Sequence, residues 1–124
     1  MNKRPDQIAD LRALLQYQDG PAFDSAVAIS ARSVLEDAVG DFFARCGWNP
    51  QMPKFGDFFR VLRTCDAIPI ASANEMQLVW SRLSNSCHHR TSMLQPDRDE
   101  VAALVTRVAL CVALLDSVDL VEVP

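Results

Sequence analysis

Residues 96–116 read PDRDEVAALVTRVALCVALLD, and the spacing of their apolar side chains decides the fold class. Val101, Leu104, Val105, Val108, Cys111, Val112 and Leu115 recur at intervals of three and four, the period of an α-helix. Pro96 suits a first helical turn, and Asp97, Asp99 and Glu100 complement the positive end of the helix dipole. The segment therefore predicts a helix over about 97–116. With Leu110 and Leu114 added, it is apolar almost all round and must be covered on most sides. Either it is the central helix of a bundle or one of its faces meets another chain. Thr106-Arg107 interrupts the apolar run, which is shorter than the roughly 20 residues that span a bilayer.

The same period extends outward, and no segment of useful length alternates with period two. A first helix over about 5–17 stacks Ile8, Leu11 and Leu14 or Leu15, and Gly20-Pro21 stops it. A second, over about 24–46, carries Val27, Ala31, Val34, Leu35, Ala38, Phe42 and Cys46 toward the core, and Gly47 and Asn49-Pro50 end it. Pro50, Pro53 and Gly56 mark a loop. A short helix follows from about Asp57 to Cys65, with Phe58, Phe59 and Leu62 as its packing residues. Ser72-Ala73-Asn74-Glu75 has the form of a capping box, which places a fourth helix at about 73–89. The expectation is an all-α, antiparallel bundle of about five helices. It is a single domain over 1–124, with its core in about 5–116 and a loose tail after that.

Composition agrees. A chain of 124 residues with 49% hydrophobic and 23% charged residues and only 4 Gly is that of an ordinary globular domain. Its net charge of −4 and pI near 5 provide no whole-molecule field toward nucleic acid or an acidic membrane. Only the middle, residues 54–93, is net positive, with Lys54, Arg60, Arg63, Arg82 and Arg90 against Asp57, Asp66 and Glu75. Cys46, Cys65, Cys87 and Cys111 form no CxxC pair, and no apolar signal-peptide core follows the N-terminal Met-Asn-Lys-Arg. Each lies in or beside an apolar run, so the four read as reduced, buried small hydrophobes of a cytoplasmic protein. Neither a membrane anchor nor DNA binding is expected.

The residues able to do chemistry gather at 82–90, Arg-Leu-Ser-Asn-Ser-Cys-His-His-Arg. Met76, Val79, Trp80, Leu83 and Cys87 form the core stripe of the fourth helix. At about 100° per residue, Arg82 and His89 differ by only about 20° in azimuth and stand two turns apart, with Asn85 and Ser86 between them and His88 turned away. Arg offers a planar fork of donors suited to phosphate, and His titrates near neutral pH. Such a pair can take a proton from a ribose 2′-hydroxyl and steady the charge on the attacked phosphate without a metal. The same residues also answer the negative end of a helix dipole and cap its carbonyls.

Other chemistries fit less well. Adjacent helical residues diverge by about 100°, so Cys87, His88 and His89 cannot all grip one zinc ion while the helix continues, and no second ligand pair exists. No metal or cofactor is expected. Cys87 falls on the apolar stripe, where a thiol stays protonated and inert. Ser33, Glu36 and Asp37 read as a solvated edge of the second helix, with a carboxylate there able to orient a site His.

Three stretches together resemble the HEPN superfamily of small α-helical domains: Ala28 to Glu36 on the long second helix, Lys54 to Leu62 around the short third, and Trp80 to His89 leading into Pro96 to Leu115. The resemblance covers about residues 5–116 and includes an Arg followed by a His at the family's short spacing. It implies a helical bundle, usually a homodimer in which two copies of the motif face each other. In many members that site is a metal-independent endoribonuclease of toxin–antitoxin or phage-defence systems. By resemblance Arg82 is the phosphate-binding Arg and His88 or His89 the general base, helical geometry favouring His89. Asn85, Ser86 and Arg90 would then help hold the substrate. RNA, a second copy of the chain, and an antitoxin or larger protein are the implied partners. Many active members carry a polar residue, often Asn, directly after the Arg, where this chain has Leu83. Matching Asn85 to that Asn keeps His89 in place but puts Ser84 at the Arg position. The alternative is therefore an inactive module that binds RNA, nucleotide or another protein.

Overall fold

The computed structural model describes residues 3–17, 21–48, 54–87 and 98–118, with the backbone alone at 21, 22, 86 and 87. These residues form five helices and no strand: α1 Arg4–Tyr17, α2 Pro21–Arg45, α3 Asp57–Leu62, α4 Ile70–Cys87 and α5 Arg98–Ser117. The all-α bundle expected from the spacing is what the chain adopts.

Side-chain contacts fix the directions. Arg82 meets Glu100 and Glu75 meets Arg107, so α4 and α5 run antiparallel. Arg45 Nη1 and Nη2 donate to the carbonyls of Val118 and Leu115, which brings the C-terminal ends of α2 and α5 together. These carbonyls are among those a helix leaves unpaired, and a basic side chain satisfies them. Arg4, at the start of α1, reaches Asp37 and Asp41 late in α2 and Asp116 late in α5. Helices α1 and α4 therefore run one way, and α2 and α5 the other. One end of the bundle gathers the C-terminus of α4 and the N-termini of α2 and α5.

The core lies between α2, α4 and α5, with Leu35, Ala38, Phe42, Met76, Val79, Leu83, Val101, Val105, Val108 and Leu115 buried. Most of α5 is covered, yet Leu110 is 69% exposed and Leu114 partly so. The central position thus accounts for most of its apolar surface and leaves one strip uncovered. On α1 the stripe resolves in favour of Leu15, which is buried, whereas Leu14 is exposed. The rings of Phe43, Phe55, Phe58, Phe59 and Trp80 run in successive contact, fastening α3 to α2 and α4.

Helix ends depart from the spacing where tertiary contacts intervene. Helix α4 begins at Ile70, so Ser72 is inside it and the capping box does not form. Its first bond is from Ala73 N–H to the Pro69 carbonyl, and Glu75 turns to Arg107 instead of back to Ser72. Helix α2 begins at Pro21, whose fixed φ suits a first turn. Helix α3 stops at Leu62 because the next bonds, Thr64 to Val61 and Cys65 to Leu62, have the tighter three-residue span.

Gly47 does end α2 as expected. Its φ is +75°, its N–H bonds the Ala44 carbonyl, and Trp48 N–H bonds that of Phe43, the paired bonds of a Schellman motif. Trp48 then packs edge-on against Phe43 with centroids 5.2 Å apart. This turn lifts Cys46 into solvent, so the expectation that all the cysteines are buried fails there; Cys65 is half-buried and Cys111 buried. Among the described residues no helix is long and apolar enough to cross a membrane.

Candidate functional site

The candidate stretch begins on the last turns of α4, at the end of the bundle shared with the N-termini of α2 and α5. Buried Met76, Val79 and Leu83 set the rotation of this helix, and Arg82 and Asn85 consequently face out on the opposite side. Leu78, one turn before Arg82 on the same outer face, is 43% exposed. Arg82 lies 3.7 Å from Glu100 in the first turn of α5, both side chains about half exposed. Solvent screens a pair of this kind, and its contribution is at most about 1 kcal/mol. Its main effect is to place a carboxylate beside the Arg82 guanidinium.

His88, His89 and Arg90 lie outside the described residues, as does Asp97, and of Ser86 and Cys87 only the backbone is described. Of the sequence-predicted site, the structure therefore brings together Arg82 and Asn85. A zinc or Cys–His arrangement involving 87–89 is likewise outside what is described. Among the described residues no group of three His, Cys, Asp or Glu is placed to hold a metal ion.

Leu83 is fully buried, so the residue after Arg82 is a core residue here and cannot present a polar group to a ligand. Asn85 is the exposed amide on this face. Ser84, which the other register puts at the Arg position, is half-buried with its Oγ out of solvent and without a hydrogen-bond partner.

Several polar groups near this end were not singled out by spacing. Arg32 on α2 is half-buried, and its Nε is out of solvent with no hydrogen-bond partner. Asp24, in the first turn of α2, is only 6% exposed, and its Oδ1 is also unpaired. Arg32 stands four residues before Glu36, a spacing that ordinarily suggests a helix-surface ion pair. Glu36 instead accepts a hydrogen bond from Trp80 Nε1–H at 3.0 Å, a partner that only the tertiary fold supplies.

Asp37 is not near the candidate site but bonds Arg4 toward the far end of the bundle. An open groove of about 540 Å³ between α1 and α2, lined in part by Gln7, Asp10, Ser30, Ser33 and Asp37, is acidic and has no α4 residue in its lining. The Cys111 thiol is pushed up to about 11 by burial, with Glu75 adding to the shift, as befits a packing thiol.

No protein family, curated protein or solved structure matches the chain.

Proposed function

We propose that the chain is a HEPN-like domain that binds single-stranded RNA across the exposed end of α4 and cleaves it without a metal, acting as a homodimer in a toxin–antitoxin or phage-defence system. The observation that carries the reading is the joint exposure of Arg82 and Asn85 on one face, immediately before His88-His89 in the chain. The five-helix order, with a long second helix and a short third, supports the resemblance.

In this reading Arg82 holds the scissile phosphate through its planar fork of donors, and His89 removes the 2′-hydroxyl proton. The 2′-oxygen attacks phosphorus and the 5′-oxygen leaves, giving a cyclic phosphate with no metal needed. Asn85 steadies a non-bridging oxygen or the ribose. Exposed Leu78 on the same face supplies apolar area for a second copy, whose own α4 end would complete the site.

A second reading has its own support. Glu100 already occupies the Arg82 guanidinium in part, and the chain is net acidic, which favours a module that binds a partner without turnover.

Incubating the purified chain with single-stranded RNA in EDTA decides between them. Cleavage that disappears in His89→Ala supports the first reading. Intact RNA with measurable binding supports the second, and intact RNA without binding removes both.

A further inference from the structure

Two ion pairs bridge the outer side of the α4–α5 seam, Glu75 with Arg107 at 3.4 Å and Arg82 with Glu100 at 3.7 Å. On each helix the two charged residues stand seven positions apart, so both pairs obey one antiparallel register and lie about 10 Å apart along the seam. The four groups therefore form a square of alternating sign, with Glu75 and Arg82 on α4 facing Arg107 and Glu100 on α5. All four side chains are about half exposed.

Apolar side chains flank this square. Ala71 and Leu78 are exposed on α4, and Ala103 and Leu110 on α5. Each lies within about 60° of azimuth of a charged residue on its own helix, on the outward side. One turn beyond the Glu75–Arg107 pair, a groove of about 220 Å³ opens between Ala71, Ser72 and Met76 on α4 and Leu110, Cys111 and Leu114 on α5.

A square of this kind is its own complement. A half-turn about an axis along the seam exchanges the α4 and α5 sides and keeps every residue at its level. Glu75 of one copy then faces Arg107 of the other, and Arg82 faces Glu100. The same rotation sets Leu110 of each copy over Ala71 and Ser72 of the other, at the mouth of the groove, and Leu78 over Ala103. An axis across the helices also matches the charges, but it carries Leu110 past the start of α5 at Arg98 and leaves the groove uncovered.

We infer that the outer face of α4 and α5 is the interface of a homodimer whose two-fold axis runs along the α4–α5 seam. The inference rests on the proposed function for its second copy and is independent of RNA. Burial of Leu78 and Leu110 supplies the affinity, and the charges fix the register, since a slide of seven residues along the seam would set Glu75 against Glu100. The axis brings the C-terminal ends of both α4 helices to the same end of the dimer. Because α5 begins at Arg98, the seam stops within a turn of Arg82 and leaves that side chain at the edge of the interface.

Sedimentation equilibrium of the full chain over a range of concentrations measures dimerisation, with circular dichroism to check the fold of each variant. Leu110→Asp changes an exposed position and should weaken the dimer by about tenfold or more. Glu75→Arg should weaken it too. Adding Arg107→Glu to Glu75→Arg should restore it, because the swap keeps opposite signs both within the chain and across the seam axis. An axis across the helices predicts no recovery, since the new cation would meet Arg82 of the second copy.

A double swap no better than Glu75→Arg alone overturns the seam axis. Dimerisation unchanged in both Leu110→Asp and Glu75→Arg overturns this face but leaves the homodimer of the proposed function standing. A chain that stays monomeric at high concentration removes both, and a dimer that behaves as expected but leaves RNA intact supports the interface while sinking the cleavage reading. Should Leu110→Asp fail to fold, Leu78→Asp takes its place with the same expected loss, and an undiminished dimer counts against the face.

Discussion

Arg4 Nη2 donates to Asp116 Oδ1 at 2.6 Å, tying the first turn of α1 to the last turn of α5. Nη1 donates to Asp37 at 2.8 Å and Nη2 also to Asp41 at 3.1 Å, so one guanidinium joins three helices. The Asp116 hydrogen bond, opposed by burial and aided by Asp37 and Asp41, raises the Arg4 pKa above its ordinary value. Arg4 is therefore charged at every accessible pH, and its replacement leaves three carboxylates crowded together. Arg4→Ala should destabilise the fold by about 2–3 kcal/mol, within the range for hydrogen bonds to charged groups. Urea denaturation checks it, with Arg4→Lys recovering only part of the loss because an ammonium lacks the fork that spans three partners. A loss under about 0.5 kcal/mol would mean that the network is merely a surface cluster of the kind whose pairs contribute little.

The Arg82–Glu100 pair makes a functional prediction of the opposite kind. Both groups are about half exposed, so Glu100→Gln should leave stability within about 0.5 kcal/mol. On the proposed RNA-binding reading it should nonetheless strengthen RNA binding several-fold at low salt, since it removes a carboxylate that competes with phosphate for Arg82. Arg82→Gln should weaken binding and reduce the salt slope. Binding measured by fluorescence anisotropy decides, and Glu100→Gln binding more weakly than wild type would show that Glu100 aids the site instead of competing for it.

The fold was legible from spacing because its signals are local: apolar side chains three and four apart on α2, α4 and α5, and a glycine in the left-handed conformation after α2. Helix ends were less so. Ser72 and Glu75 had the right types for a capping box, but Glu75 found Arg107, and only the packing of α4 on α5 reveals that competition. Likewise azimuth placed Arg82 and Asn85 on one face of α4 beside the core stripe, and the structure has both exposed. Arg32 and Asp24 escaped notice because their interest lies in what they lack, a buried hydrogen-bond partner, and a sequence does not record partners. Arg4 was missed for the same reason: its three carboxylates are distant in sequence and meet only when α1, α2 and α5 come together.

Leu83 tests which register the site obeys. It is fully buried, so Leu83→Asn would place an unsatisfied amide in the core and also remove apolar contacts. A loss of about 3–5 kcal/mol is expected, a large fraction of the stability of an ordinary domain. Asn85→Ala, on the exposed face, should leave stability within about 0.5 kcal/mol and reduce RNA affinity or cleavage. Thermal melts and a cleavage assay on the two variants separate the positions. A stable Leu83→Asn protein with raised activity would mean that residue 83 can turn outward and that the family's polar position lies there after all.

The cysteines give a test of packing and of pH together. Cys46 is exposed and should react with iodoacetamide within minutes at pH 8, whereas Cys111 should be labelled only on unfolding, as peptide mass mapping can show. Because burial raises the Cys111 thiol from 9.0 to about 11, the folded state holds its proton in a range where the unfolded chain has released it. The unfolded state then binds fewer protons, so stability contributed by this group is complete below pH 9 and declines as pH rises toward 11. The decline approaches about 1.4 kcal/mol per pH unit. Guanidinium denaturation at pH 8, 9.5 and 10.5 should show this slope in wild type and a shallower one in Cys111→Ala, once each is referred to its own value at pH 8. Equal slopes would place the pH dependence elsewhere and indicate that the Cys111 side chain reaches water more readily than its position between α4 and α5 implies.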